Sequence, residues 1–346
     1  MGVSLKDIAK SAGVSEATAS LALNGRKGVN EKTKERVLEI AKAMGYVGSD
    51  NAKSLARRKS GLIGVMVPNI SNLFYSNLVR HIERALRDMG YKMILVTTES
   101  NINYEKEMIK RFVAFRVEGA IIYPSIKENE RPDYINILRQ NSIPMVFIGS
   151  YYPGIEAPHV MSDLYHGVRE AVDYLYITGC RHFYYIGGCK TIISNQLKEK
   201  AIRDYLTERG IEFPEDHYLE LEHTRYENAY IRMDALLSSG KPVDAVIAAD
   251  AFTSLAAYNV LRKHGYAVPE QVSIISFDNL LYPDICVTRL SCIEQDLDSI
   301  VNCTLQNLQS MIRDQSDGVS HLTPTKLILR DTTRQYLANS REKTQG

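Results

Sequence analysis

Residues 4–24, SLKDIAKSAGVSEATASLALN, hold the side chains best arranged for chemistry, and that chemistry is recognition of a polar edge, not bond making. Ser4 is placed to cap a first helix, with Asp7 in its first turn where the helix dipole favours an acid. Leu5, Ile8 and Ala9 fall at i, i+3 and i+4, giving that helix one apolar face. Gly13 stops it, Val14 anchors the turn and Ser15 opens a second helix. In the second helix Ala19, Ala22 and Leu23 face inward, leaving Glu16, Ala17, Ser20 and Leu21 outward. Two short helices around a glycine turn make a helix-turn-helix, whose second helix enters the DNA major groove by its early residues. A plain helical hairpin would carry the same apolar pattern.

No rival chemistry competes with this reading. The chain has no G-x-S-x-G elbow, phosphate loop, H-E-x-x-H or post-strand G-x-G-x-x-G, and its eight histidines are scattered. The five cysteines (Cys180, Cys189, Cys286, Cys292 and Cys303) contain no Cys-x-x-Cys pair and fit reduced thiols. No catalytic residue, metal or cofactor is therefore expected, and the chain is not expected to be an enzyme.

The elements that must carry the helical pair come next. Asn30 starts a third helix, with Val37, Leu38, Ile40, Ala41 and Met44 on its buried side and Gly45 as its stop. The segment SDNAKSLARRKS follows. Beyond residue 61, short apolar runs alternate with amphipathic stretches. Strands are expected at Leu62–Val67, Lys92–Val96, Ala120–Tyr123, Met145–Ile148, Phe183–Ile186, Ala245–Ala248 and Ser273–Ser276. Helices such as Leu73–Met89 and Leu164–Thr178 lie between them. That alternation implies parallel sheets covered by helices, and there are enough strands for two similar lobes. Charge is uneven: residues 1–60 carry 12 Lys or Arg against 6 Asp or Glu, so an overall charge of +1 hides a basic head on a mildly acidic body. This is the footprint of a tethered DNA-binding module. No apolar run approaches the ~20 residues a membrane span needs, and no signal segment opens the chain, so a cytoplasmic protein is expected.

Several words in order resemble the lactose/galactose repressor (LacI/GalR) family of bacterial transcription factors. They are LKDIAKSAGVS, the T-x-S of Thr18 and Ser20, LNG at 23–25, VNEKTKERV, MGY at 44–46 and SLARRKSGLIGV. Further along stand ISNLFYSNL, VEGAIIYPS, IPMVFIG, TGCRHFYYIGG, VPEQVSIISFDN and RLSCIEQD. The resemblance implies an α plus α/β protein. A helix-turn-helix head (1–48) and a hinge helix with linker (49–60) would precede a two-lobed core like the periplasmic binding proteins (61–340) and a tail (341–346). The chain would cross between lobes near 160, 290 and 322. Lobe 1 would then comprise 61–160 and 291–321, and lobe 2 would comprise 161–290 and 322–340.

The resemblance also assigns roles. Glu16, Ala17 and Leu21 occupy base-reading positions, where an acid can accept from cytosine and the apolar pair can touch a thymine methyl. Ser15, Thr18, Ser20 and Asn24 occupy backbone-positioning ones. Leu55 matches the hinge leucine that wedges into the minor groove and Ala52 the small residue that lets two hinge helices approach closely, although Gly48-Ser49 replaces the usual Pro-Asn start. The implied partners are a palindromic double-stranded operator, a second copy of the chain in a homodimer, and a small-molecule effector, a sugar or sugar derivative, held between the lobes. Leu73–Met89 is a candidate dimer surface, and the short C-terminus lacks the heptads of a tetramer arm. Effector contacts fall on Phe74, Tyr75, Gln196, Ala249, Asp250 and Asp278. Gln196 stands where the family places a clamping arginine, and Ala249 where it places an asparagine. The implied function is regulation of transcription, as repressor of a carbohydrate-utilisation operon. Control by a protein partner or co-repressor, and activation in place of repression, remain open alternatives.

Overall fold

The computed structural model describes residues 3–46, 60–124, 132–279, 288–314 and 316–336. Two compact units divide the chain, residues 1–60 and 61–346. In the first, α1 (Leu5–Ala12), α2 (Glu16–Leu23) and α3 (Glu31–Ala43) begin at Ser4, Ser15 and Asn30, and each cap side chain accepts a backbone N–H. Ser4 and Asp7 satisfy each other reciprocally in a capping box. Gly13 ends α1 at φ 63°, a left-handed conformation that a Cβ would strain. Ile8, Ala9, Ala12, Ala19, Ala22, Val37 and Ala41 form the small core. Leu38, expected on the buried side of α3, is instead 43% exposed. Val37 and Ala41 bury that helix, and Leu38 lies one residue, about 100° of helical turn, off their face.

The second unit contains two six-stranded sheets. The first is built from β1 (Leu62–Val67), β2 (Lys92–Thr97), β3 (Gly119–Ile122), β4 (Met145–Ile148), β5 (His159–Ser162) and β11 (His321–Thr323). The second uses β6 (Phe183–Gly187), β7 (Tyr218–Glu220), β8 (Ala245–Ala248), β9 (Ser273–Phe277), β10 (Ser291–Gln295) and β12 (Thr325–Ile328). Their orders are β11-β5-β4-β3-β1-β2 and β12-β10-β9-β8-β6-β7. All described pairings are parallel except β10 with β12. GAII, MVFI, AVIA and SIISF are buried throughout because helices cover both faces, which is why they read as continuous apolar runs. Helices α4 (Leu73–Asp88), α5 (Ile102–Ala114), α6 (Asn136–Gln140) and α11 (Leu297–Asp314) accompany the first sheet. Helices α7 (Leu164–Ile177), α8 (Ile193–Glu208), α9 (Tyr226–Ser238) and α10 (Ala251–Lys263) accompany the second. Gly64 of β1 lets the Phe112 ring close on the sheet, since a Cβ there would lie 2.8 Å from the ring.

The chain passes from one sheet to the other at Asp163, Asp296 and Pro324, between consecutive elements. The middle crossing lies later than the expected 290. Ser291–Gln295 stays in the second lobe because Ser291, Cys292 and Ile293 continue the ladder on β9 and residues 292–295 pair with β12. Alternation alone cannot show that a strand pairs backward before the chain leaves.

Candidate functional site

On α2 the outward residues sit as the helical pattern requires. Glu16 and Ala17 are exposed, and Ser20 and Leu21 are partly so. Ser15 Oγ accepts the Thr18 amide at 3.1 Å and lies 2.8 Å from the Thr18 hydroxyl. Asn24 Nδ2 donates to the Ser20 carbonyl at 2.8 Å. These groups make only local bonds, so a phosphate oxygen can exchange for them without unfolding the helix. The hinge residues Ala52 and Leu55, with Gly48 and Ser49, lie outside the described residues.

Between the two lobes lie two adjoining chambers of about 510 and 470 Å³ that share Asn72, Phe74, Asp250, Phe252, Asp278 and Gln295. Their volumes are those of small-molecule sites. The strand ends and helix starts of both lobes converge here, as ligand crevices of parallel sheets do. Asn72 caps α4 through Oδ1 and reaches across with Nδ2, which donates to Asp250 Oδ2 at 3.0 Å. Asp250 in turn caps α10, its Oδ1 accepting the Thr253 amide and hydroxyl. One hydrogen bond therefore joins the first helix of lobe 1 to a helix start of lobe 2. Phe74, Tyr75 and Tyr123 form an edge-to-face trio, with centroids 4.9–6.2 Å apart.

Asp278 follows β9 with φ 66°, a left-handed backbone that Asp tolerates better than most residues. Its amide donates to the Ile293 carbonyl and its Oδ1 accepts from Gln295 Nε2 at 2.7 Å. Burial pushes its carboxyl up to about 7 against the pull of Lys198 and Gln295, while the Asp250 charge adds to the rise. Burial also raises Asp250, opposed by its Thr253 bonds, Lys198 and Asn72. Lys198 is pushed down to about 8 by burial, with both aspartates opposing. Burial lifts the Tyr123 phenol to about 12 and carries Tyr75 well above its ordinary value. Across physiological pH the cleft holds neutral phenols, a lysine and two aspartates.

Of the residues expected here, Phe74, Tyr75, Ala249, Asp250 and Asp278 line the chambers. Gln196 lines neither; its amide turns toward the Thr191 carbonyl at 3.5 Å. The inward face of α8 carries Ser194, Asn195 and Lys198, and Gln196 is rotated off it. Sequence reasoning missed Lys198, Asn72 and Tyr123. The signal for Lys198 was present: it falls in phase with Ala201, Ile202 and Tyr205, the apolar stripe of its own helix.

Two family models match in order along the chain. Bacterial regulatory proteins of the lacI family match residues 4–49, and a periplasmic binding protein-like domain matches residues 172–333. The chain belongs to the lacI family of bacterial regulatory proteins. It is a DNA-binding transcriptional regulator and not an enzyme. Similar lacI-family proteins include the ribose operon repressor of Halalkalibacterium halodurans, 27% identical over 95% of this chain and 97% of that protein. Catabolite control protein A of Priestia megaterium is 26% identical over 96% of this chain and all of its own length. Among solved structures, the lac repressor dimer bound to operator and an anti-inducer shares the fold, with a TM-score of 0.84 at 23% identity over 96% of this chain and 99% of that one. A complex of the regulator CelR with cellobiose superposes with a TM-score of 0.71 at 25% identity, over 95% and 99% of the two chains. Among the described residues, no helix is long and apolar enough to cross a membrane.

Proposed function

We propose that this regulator is a cytoplasmic repressor of a carbohydrate-utilisation operon. It binds a palindromic operator as a homodimer and is controlled by a small carbohydrate in the interlobe cleft. The observation that carries the reading is the cleft itself. Carboxylates, amides and an aromatic trio from two lobes converge on one chamber in a chain whose head matches a DNA-binding family. Relatives named for the ribose operon and a fold neighbour holding cellobiose support a carbohydrate as the ligand class.

In this reading Glu16, Ala17 and Leu21 read base edges, and Ser15, Thr18, Ser20 and Asn24 hold the phosphates. Leu55 of the hinge is the residue that wedges into the minor groove at the centre of the site, and Ala52 is the small residue that allows two hinge segments to approach. A ligand bridging Asp250 and Asp278 on lobe 2 with Asn72 and the rings on lobe 1 biases one lobe arrangement over another. That bias is the coupling an effector needs. The domain limits follow the same scheme: a head to residue 48, a hinge to 60, and a core of two discontinuous lobes.

The test is selection of the full-length protein against a random DNA pool at moderate salt, followed by release of the selected DNA with a carbohydrate panel. A pseudo-palindrome with two half-sites, released by one panel member, is the expected result. Enrichment of a single asymmetric half-site would overturn the dimer. Selected DNA that no carbohydrate releases or tightens would overturn the effector.

A further inference from the structure

We propose that the head reads the methylation state of its operator: Glu16 requires an exocyclic base amine that still carries both hydrogens, while Ala17 and Leu21 accept a methyl group on the neighbouring ring carbon. The inference rests on the reading of these three residues as base contacts and goes further, to a chemical mark on the DNA partner.

The first support is the free state of Glu16. It is the first residue of α2, is exposed, and among the described residues its carboxylate makes no hydrogen bond or ion pair. The polar groups around it are engaged: Ser15 Oγ accepts the Thr18 amide, and Asn24 Nδ2 donates to the Ser20 carbonyl. A carboxylate accepts hydrogen bonds and donates none. The second helix of this motif lays its early residues on base edges. The major-groove donors there are the amines at cytosine N4 and adenine N6, whereas guanine N7 and O6 and thymine O4 are acceptors that repel an acid. Such an amine spends one hydrogen on its base pair and offers the other to the groove. In a paired duplex a methyl on that nitrogen takes the groove position and replaces the donor with an apolar group.

The second support is what α2 lacks. Its sequence, EATASLAL, contains no lysine or arginine, so no side chain on it can make the commonest specific contact, a cation on guanine. The exposed Arg26 and Lys27 lie in the loop that follows. Discrimination along this helix therefore falls on Glu16 and the row beside it.

The third support is that apolar row. Ala17 and Leu21 are i, i+4 neighbours, one position and about 100° around the helix from Glu16 and Ser20. The Ala17 methyl offers apolar contact at the smallest size, which leaves room for a methyl on C5 of a pyrimidine. Leu21 is supported from behind. Its carbonyl accepts the Arg26 amide at 3.0 Å, and its Cδ1 lies 3.9 Å from where a Cβ on Gly28 would sit. An acid beside an apolar row matches cytosine, whose N4 amine and C5 carbon are adjacent on the major-groove edge.

The experiment starts from the palindrome selected by the full-length protein and measures affinity for synthetic duplexes by fluorescence anisotropy. Each cytosine is replaced in turn, symmetrically in both half-sites, by N4-methylcytosine or 5-methylcytosine, and each adenine by N6-methyladenine. At one amine per half-site, methylation of the nitrogen is expected to weaken binding about tenfold or more. Where that base is cytosine, methylation at C5 is expected to change binding by about twofold or less. Because Glu16 is exposed, Glu16→Ala is expected to leave the head folded and to cut the N-methyl penalty to about twofold. Glu16→Gln, which keeps an acceptor, is expected to retain it. Equal penalties from N4 and C5 methyl groups would mean crowding in place of amine reading and would overturn the proposal. So would N-methylation tolerated at every position, or a penalty that survives Glu16→Ala. If no palindrome is selected at all, the operator reading itself fails, and this inference with it.

Discussion

The head collects its candidate contacts between residues 15 and 24, on one capped helix, whereas the cleft draws on positions from 68 to 326 in two lobes. In the head, each contact residue is placed by the helical repeat and by caps three residues away. In the cleft, no two of Asn72, Lys198, Asp250 and Asp278 are neighbours in sequence: Asn72 and Asp250 cap two helices, Asp278 follows a strand, and Lys198 comes from the second turn of α8. The polar groups differ as well. Those of the head are exposed and bonded locally, so they cost little when DNA is absent. Those of the cleft are desolvated and lean on one another, so ionisation and occupancy there are coupled to stability.

The largest effect that would sharpen this contrast lies in the head. Ile8 is fully buried in a core of seven residues. Ile8→Ala should cost about 3 kcal/mol, enough to melt so small a unit. Calorimetry should show loss of the head transition and of operator binding, with the melting of the core unmoved. If the core transition falls with it, the two units are not independently stable.

An intermediate effect belongs to the cleft and depends on pH. The Asp278 carboxyl is raised to about 7 from an ordinary value near 3.8, so the folded state binds the proton more tightly than the unfolded chain. Its charge therefore destabilises the fold fully above pH 7. That penalty is relieved progressively as pH falls toward 4. Asp278→Asn should stabilise the ligand-free core by about 2 kcal/mol at pH 8, roughly half of what a three-unit shift is worth, because Lys198 loses a partner. Melting curves across pH 5 to 8 should show the gain shrinking at the acid end. A gain independent of pH would mean the carboxylate is not the source.

The smallest effect is a cap. Ser15→Ala removes the acceptor for the Thr18 amide and should cost the head ~1 kcal/mol, read as a lower head transition with the core unchanged. It should also weaken operator binding more than that destabilisation explains, if Ser15 touches a phosphate. Equal losses would confine it to capping.

The contrast also sorts what could be read from the residues. Helix starts at Ser4, Ser15 and Asn30, the strand runs of both lobes, and Asp250 and Asp278 were legible, because each is marked by a cap, an apolar run or a family word. Leu38 was misplaced because a small three-helix unit buries only one narrow stripe of α3. The strand 291–295 was assigned to the wrong lobe because its partner lies on β9, and pairing is invisible in a run of apolar letters. Gln196 was chosen by motif, yet the turn after β6 sets the phase of α8 so that Lys198 points inward instead.

The amino-acid order by itself determined everything governed by short-range geometry. It set where helices begin and stop, which strands are buried on both faces, and the class of DNA-reading element, since caps and periodicities act over a few residues. Only the tertiary structure decided which side chains share a desolvated space. The Asn72–Asp250 link, the buried Lys198 and the raised Asp278 arise from burial and long-range apposition, and those depend on how two lobes close around a cavity.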